Sequence, residues 1–390
     1  MSEIKTENTI LTKDDIFLLI QQNEKEKQEF DLIKKNIASH NHDFSKGAFN
    51  RHEFYKAVLF DDMQTDGYVM EYPHGKVIRQ SDRLWHYRGE NSYYPTSQPT
   101  FVRKLVNKSR DEKSGIEFVA NLKLHEFYNL LTRLNHLYYF RNICFTRGDK
   151  RIYLDILFHN IAQHYGFDTN WLDLTSDFEV ALFFACCKYS GNKWMPLTNN
   201  DINKNEYSKY GRIFRRSANS IKNMMIPEDR YAAYPVGFQP FMRCHMQYSY
   251  AILMDEDMDL NDSNSGFEFI KFRHSEELCN YIFTKMCEGK LIYPHEGLNL
   301  ILDEIEKIQN SDCFPIETFQ KVYQDQNWGY TEDEIMKILN MSGIIIGKPT
   351  VFLSQSKIDL VNKYYETFDI EKTYNITLRT RWTFTPESKI

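Results

Sequence analysis

No stretch of this chain approaches the roughly 20 consecutive apolar residues that a membrane helix requires. Its opening, MSEIKTENTI, lacks the basic-then-apolar order of a secretory leader. There is no C-x-x-C pair. The seven cysteines, Cys144, Cys186, Cys187, Cys244, Cys279, Cys287 and Cys313, are odd in number and scattered, which argues for a reduced compartment rather than a disulfide framework. No H-E-x-x-H, G-x-G-x-x-G or G-x-x-x-x-G-K-[ST] occurs, so the zinc-protease, dinucleotide-fingerprint and P-loop signatures are all missing. Charge of either sign is not in large excess: the net value of −6 gives no electrostatic reason to expect a nucleic-acid duplex as the main partner. Neither an internal repeat nor a low-complexity linker is visible. A soluble, cytoplasmic protein without a metal and without membrane contact is the expectation.

What is present is ample core material. Of 390 residues, 42% are hydrophobic and 15% aromatic, enough for about two domains. Residues 1–65 read as an N-terminal helical region. Thr12 is placed to cap a helix ahead of Asp14 and Asp15, and Ile16, Leu19, Ile20, Phe30 and Ile33 form an interrupted apolar stripe. The cluster NEKEKQE reads as a solvated face, and SHNHDFSKG as a surface loop. GYVMEYPHGKVIRQ then reads as strand, turn, strand. Helical periodicity follows from about 103 to 165, through HEFYNLLTRLNHLYYF and RIYLDILFHNIAQHYG, with Gly166 suited to a helix C-cap. GRIFRRS reads as a strand with a solvated end, and FQPFMRCHMQYSYAILM as a turn and a further strand. Residues 306–390 read as a C-terminal α/β appendage, closing on the alternating segment YNITLRTRWTF.

Two stretches carry chemistry. In RLWHYRGEN an extended chain puts His86 and Arg88 on one face and Trp85 and Tyr87 on the other. The aromatic pair can enter a core, the polar pair can face a cleft or solvent, and Gly89 lets a backbone or ligand come close. In AQHYGFDTNWLDLTSDFEVALFFACCKY a helix ends at His164-Tyr165-Gly166, a short strand WLDL follows, and a second helix begins after Thr175 and Ser176. Ser176 and Glu179 have capping-box spacing. One reading is structural: Ser176 caps a core helix, Asp173 bonds nearby backbone, and Cys186 and Cys187 fill space. The other is an anion site at a helix N-terminus beside a strand end. His164 is open to a helix-end or a site role, and Arg243 to an ion pair or a site role.

These segments together, Tyr87-Arg88-Gly89, then Gln163 to Gly166, Leu172-Asp173 with Thr175-Ser176, Ala181 to Ala185, then Arg243 with Gln247, and lastly Pro294, Gly297 and Leu298, resemble the FRG domain family over roughly residues 66–305. Ser249 stands where the family usually has glycine, and a long polar stretch (190–210) intervenes before GRIFR. The family often belongs to bacterial phage-defence and toxin systems. Its pattern is more distantly similar to the ADP-ribosyltransferase fold, whose arginine-serine-glutamate class matches Arg88, then Thr175 and Ser176 with Ala181 and Phe184. The resemblance implies an α+β fold with a mixed or mostly antiparallel sheet and packed helices. It also implies a nucleotide cleft for NAD, and ADP-ribosyl transfer to a protein or nucleic-acid target or NAD cleavage. Arg88, Gly89, His164, Tyr165, Thr175, Ser176 and Arg243 would bind NAD. Gln247 stands where the catalytic glutamate should lie, and it can hydrogen-bond a ribose hydroxyl but cannot offset an oxocarbenium charge. Glu90 and Asp173 are the candidate acids. The alternative is a non-catalytic nucleotide-sensing or protein-interaction module.

Overall fold

Seven strands drawn from distant parts of the sequence form the central sheet. The computed structural model describes residues 9–39, 67–72, 74–80, 85–147, 150–190, 193–217, 229–347, 353–367 and 383–386. The chain opens with β1 (Ile10–Leu11) and α1 (Lys13–Ser39), followed by the hairpin β2 (Gly67–Tyr72) and β3 (Gly75–Gln80) and by β4 (Trp85–Glu90). Next come α2 (Thr100–Leu105), α3 (Arg110–Thr132), α4 (Asn135–Arg141), the pair β5 (Ile143–Arg147) and β6 (Lys150–Tyr153), and α5 (Phe158–His164). β7 (Trp171–Thr175), α6 (Phe178–Cys186), the hairpin β8 (Cys187–Ser190) and β9 (Lys193–Pro196), α7 (Asn199–Ile202) and β10 (Tyr210–Ser217) continue the chain. Then follow β11 (Tyr234–Pro235), α8 (Met242–Met246), β12 (Ser249–Leu253), β13 (Glu268–Arg273), α9 (Glu276–Lys285) and α10 (Leu302–Gln309). The last elements are β14 (Cys313–Phe314), α11 (Ile316–Asp325), α12 (Glu332–Met341), β15 (Ile345–Ile346), α13 (Gln355–Tyr365) and β16 (Thr383–Pro386).

The sheet order is β1-β13-β10-β4-β7-β12-β11. Only β1 and β13 run parallel; the other neighbours are antiparallel, so the expected mixed, mostly antiparallel sheet is observed. α6 crosses one face, where Phe178, Ala181, Leu182, Phe183 and Ala185 pack with Tyr87, Ile213, Phe272 and Leu278. Gly89 makes this crossing close. A Cβ there would lie 1.7 Å from the Ala181 carbonyl oxygen, so the near approach that glycine allows is that of a helix backbone. The opposite face presents Leu172, Leu174, Phe214, Tyr250 and Ile252, which pack with Tyr231, Met254, Met258 and Leu260.

Several sequence expectations change. Residues 150–165 are not one helix: β6 pairs antiparallel with β5, and α5 starts at Phe158. Two short runs of aromatic and β-branched residues flank RGDK, a turn-type sequence, and apolar spacing in so short a window fits either period. Arg243 to Met246 are helical rather than extended. Tyr248, with φ at +49°, turns the chain out of α8 into β12. His86 is 2% exposed and lies against the Tyr250 ring, so it faces the core and not a cleft. Arg216 is no solvated strand end: it donates to the Tyr231 carbonyl and to Asp229. Part of the charge cluster after residue 22 is also engaged, because Lys27 reaches Asp177 and Glu179 at the start of α6. The loop at 40–47 and the alternation from 374 to 382 lie outside the described residues; Thr383–Pro386 of that segment pairs with β5.

The C-terminal helices are built onto the rest. Phe314, Phe319, Val322, Ile335 and Leu339 share a core with Phe118 and Leu122 of α3. α13 places Ile358, Val361 and Tyr365 among residues of α4, α5 and the turn at Gly297–Ile301.

Candidate functional site: a cleft where two strands part

β4 and β7 pair at a single position, Tyr87 opposite Thr175. Beyond it they diverge, and a cleft of about 480 Å³ opens between Arg88-Gly89-Glu90 and Asp173-Leu174. Arg88 spans the gap. Its Nη1 donates to the Asp173 carbonyl oxygen at 2.9 Å, and its Nε lies 3.3 Å from Glu90 Oε1. The guanidinium thereby takes up a carbonyl that a continuous ladder would have paired. Its Nη2 makes no hydrogen bond among the described residues, and a quarter of the side chain is exposed.

Glu90 faces a second arginine. Arg212, directly opposite it on β10, is fully buried and puts Nη2 and Nε on Glu90 Oε2 at 2.7 and 3.3 Å. Its Nη1 donates to Asn261, and the Phe214 ring lies 4.4 Å from the guanidinium. Ser97 donates to the other Glu90 oxygen at 2.6 Å. The Glu90 carboxylate is thus held by two arginines and a hydroxyl at the cleft floor.

Asp173 is in a different situation. Its Oδ1 is buried without a hydrogen-bond partner, 4.0 Å from His164 Nε2, while a third of its side chain is exposed to the cleft. Enclosure raises its pKa above the usual carboxylate range, with His164 and Arg88 opposing the rise. Burial lowers the His164 pKa, and Asp173 opposes that. A 3.0 Å hydrogen bond joins His164 Nε2 to Ser249 Oγ, which gives the serine at the family's glycine position a partner.

Thr175 and Gln247 also line the cleft. Thr175 Oγ1 accepts from the Asp177 N–H, and Gln247 donates to the Ile292 carbonyl. Three expected residues are elsewhere. Ser176 is fully buried with an unpartnered hydroxyl and does not cap α6; Asp177 does, accepting from the N–H groups of Glu179 and Val180. With Lys27 over Asp177 as well, the α6 N-terminus is closed to an outside anion. Tyr165 and Arg243 stack behind the cleft at 3.9 Å; Tyr165 donates to the buried Glu296, and Arg243 donates to the His164 carbonyl.

The sequence reading missed an aromatic wall. Phe184, Tyr189, Trp194 and Tyr293 line one side of the cleft, with Trp194 5.3 Å from both tyrosine rings and 5.5 Å from Phe184. Tyr189 and Trp194 face each other across the β8–β9 hairpin. The signal was the aromatic residue on each side of GNK, a turn-type sequence at the edge of the stretch taken as polar. Arg103 and Lys188 add positive charge to the lining.

No helix among the described residues is long and apolar enough to cross a membrane. No curated protein and no solved structure matches the chain. A family match does exist, over residues 83–193. That span includes β4 and Arg88, α5 with His164, β7 with Asp173, and α6. The segment that shapes most of this cleft is an FRG domain.

Proposed function

We propose that the cleft binds NAD and breaks its nicotinamide–ribose bond, in the manner of the ADP-ribosyltransferases that the motif order resembles. The observation that carries this reading is Asp173: a carboxylate with an unpartnered oxygen, in one cleft with an arginine whose Nη2 is free and with an aromatic wall. A guanidinium suits a pyrophosphate, and aromatic faces suit the planar rings. The cleft volume of about 480 Å³ lies in the range of small-ligand sites. In the reaction the ribose C1′–N1 bond breaks and its electron pair leaves with nicotinamide. The positive charge left on the ribose lies against the Asp173 carboxylate. Water or an acceptor nucleophile then bonds to C1′ and releases a proton. Glu90, paired with Arg212, holds the floor and the Arg88 side chain.

Calorimetry with NAD and chromatography of released nicotinamide test this reading. Wild type binds and releases; Arg88→Ala loses both; Asp173→Asn keeps binding and loses about 10²-fold or more in release. Absence of both binding and release overturns it. A second reading is favoured by the pairing of Glu90 and by the amide at Gln247, which leave one acid in the cleft: a nucleotide-binding module that holds NAD intact. Binding without release decides for it. In the defence or toxin setting that the family resemblance implies, expression of the active form lowers cellular NAD and slows growth, and Arg88→Ala abolishes both effects.

A further inference from the structure

A second cavity, of about 510 Å³, is lined by the first residues of α5, whose last residues line the cleft. Its walls come from α3, α5, the first residue of β7, the β2–β3 turn and α11. Asn160 lines it and is only 4% exposed, and its side-chain amide makes no hydrogen bond to a described residue. Three imidazoles, His74, His125 and His159, line the same space and also make no hydrogen bond to a described residue. One amide and three half-buried or exposed imidazoles around one void match the sparse polar groups of a ligand site.

The chemistry of the lining is specific. Burial lowers the pKa of His74 and of His125, so both rings are neutral at pH 7. The two charged groups present, Lys321 and Asp325, neutralise each other at 2.6 Å. Flat apolar surface comes from Tyr128, Phe158 and Trp171; the His74 ring stands edge-on to Trp171 at 4.6 Å. A site of aromatic faces, neutral imidazoles and one buried amide selects an uncharged, planar, hydrogen-bonding ligand. An asparagine amide is complementary to the N6/N7 edge of adenine.

We infer that this cavity binds a purine nucleoside, separately from the cleft. The test is calorimetry of the full chain with adenosine and with AMP. Adenosine is expected to bind once per chain, Asn160→Leu to weaken it by about tenfold or more, Arg88→Ala to leave it unchanged, and AMP to bind no more tightly than adenosine. His125→Leu, checked by its melting curve, serves in place of Asn160→Leu if that variant does not fold, with the same loss expected. The inference is overturned if adenosine does not bind, if Arg88→Ala abolishes its binding, if the cavity variants leave it intact, or if AMP binds tenfold tighter. The NAD reading fails on different results, since its binding depends on Arg88 and not on Asn160.

Discussion

A single hydrogen atom decides how closely α6 can cross the sheet. Gly89→Ala places a methyl carbon 1.7 Å from the Ala181 oxygen, and neither backbone can yield without moving a strand or a core helix. The expected loss is about 3 kcal/mol or more, seen as a lower midpoint in urea denaturation. Glu90→Gln tests a different residue-scale effect. It leaves the fully buried Arg212 without a countercharge, and breaking such a pair costs about 3–5 kcal/mol. If Asp173 carries the chemistry, Glu90→Gln assayed below its melting temperature keeps nicotinamide release within about tenfold of wild type; a loss as large as that of Asp173→Asn would move the catalytic role to Glu90. Arg88 was legible in the sequence because an arginine between a buried aromatic and a glycine in a strand has few structural uses. Arg212 was not, because its partner is 122 positions away and no local pattern marks a cross-strand ion pair.

At the scale of elements, legibility followed how local the cause was. The β2–β3 hairpin, the Gly166 stop and the Thr12 cap of α1 each depend on a few adjacent residues, and each was read correctly. α8 was misread because the helix is one turn long and depends on what surrounds it: Arg243 between two tyrosines and Glu296 accepting from the Met242 N–H. The Ser176 capping box has the right spacing, but Asp177, one residue later, supplies the cap. The junction of α4 and α13 gives a pH prediction. His136 stacks on Tyr365 at 3.9 Å, donates from Nε2 to the Pro240 carbonyl, and is pushed by burial down to about 4. Its folded pKa lies below the unfolded value near 6.5, so the unfolded chain takes up the proton first as pH falls. Stability therefore declines from about pH 6.5 and levels off near pH 4. Between pH 7 and pH 5 this residue accounts for about 2 kcal/mol of loss. Urea melts at the two pH values are expected to show a loss smaller by that amount in His136→Phe.

At the scale of the molecule, the FRG segment is not self-sufficient. α3 lies within residues 83–193, yet Phe118 and Leu122 of that helix are covered by residues 314–344. Ending the chain at Gln309 uncovers them, and each fully buried side chain of this size is worth about 1.5–3 kcal/mol. The shortened protein is expected to aggregate or to melt without a cooperative transition in calorimetry. The sequence reading set residues 306–390 apart because their composition shifts, and composition does not report which surface a helix covers. The sheet order was similarly hidden, since β10 inserts between β13 and β4 through pairings that join distant segments.

The way the strands part has a consequence for when the cleft can exist. One rim is β4, near position 90; the opposite rim, β7, is held in place by β12 near position 250, and Tyr293 finishes the aromatic side. A chain still growing on the ribosome has Arg88 long before it has the partner strands that aim it. Whatever the cleft holds, a half-made copy, which lacks β12 and Tyr293, cannot yet hold it.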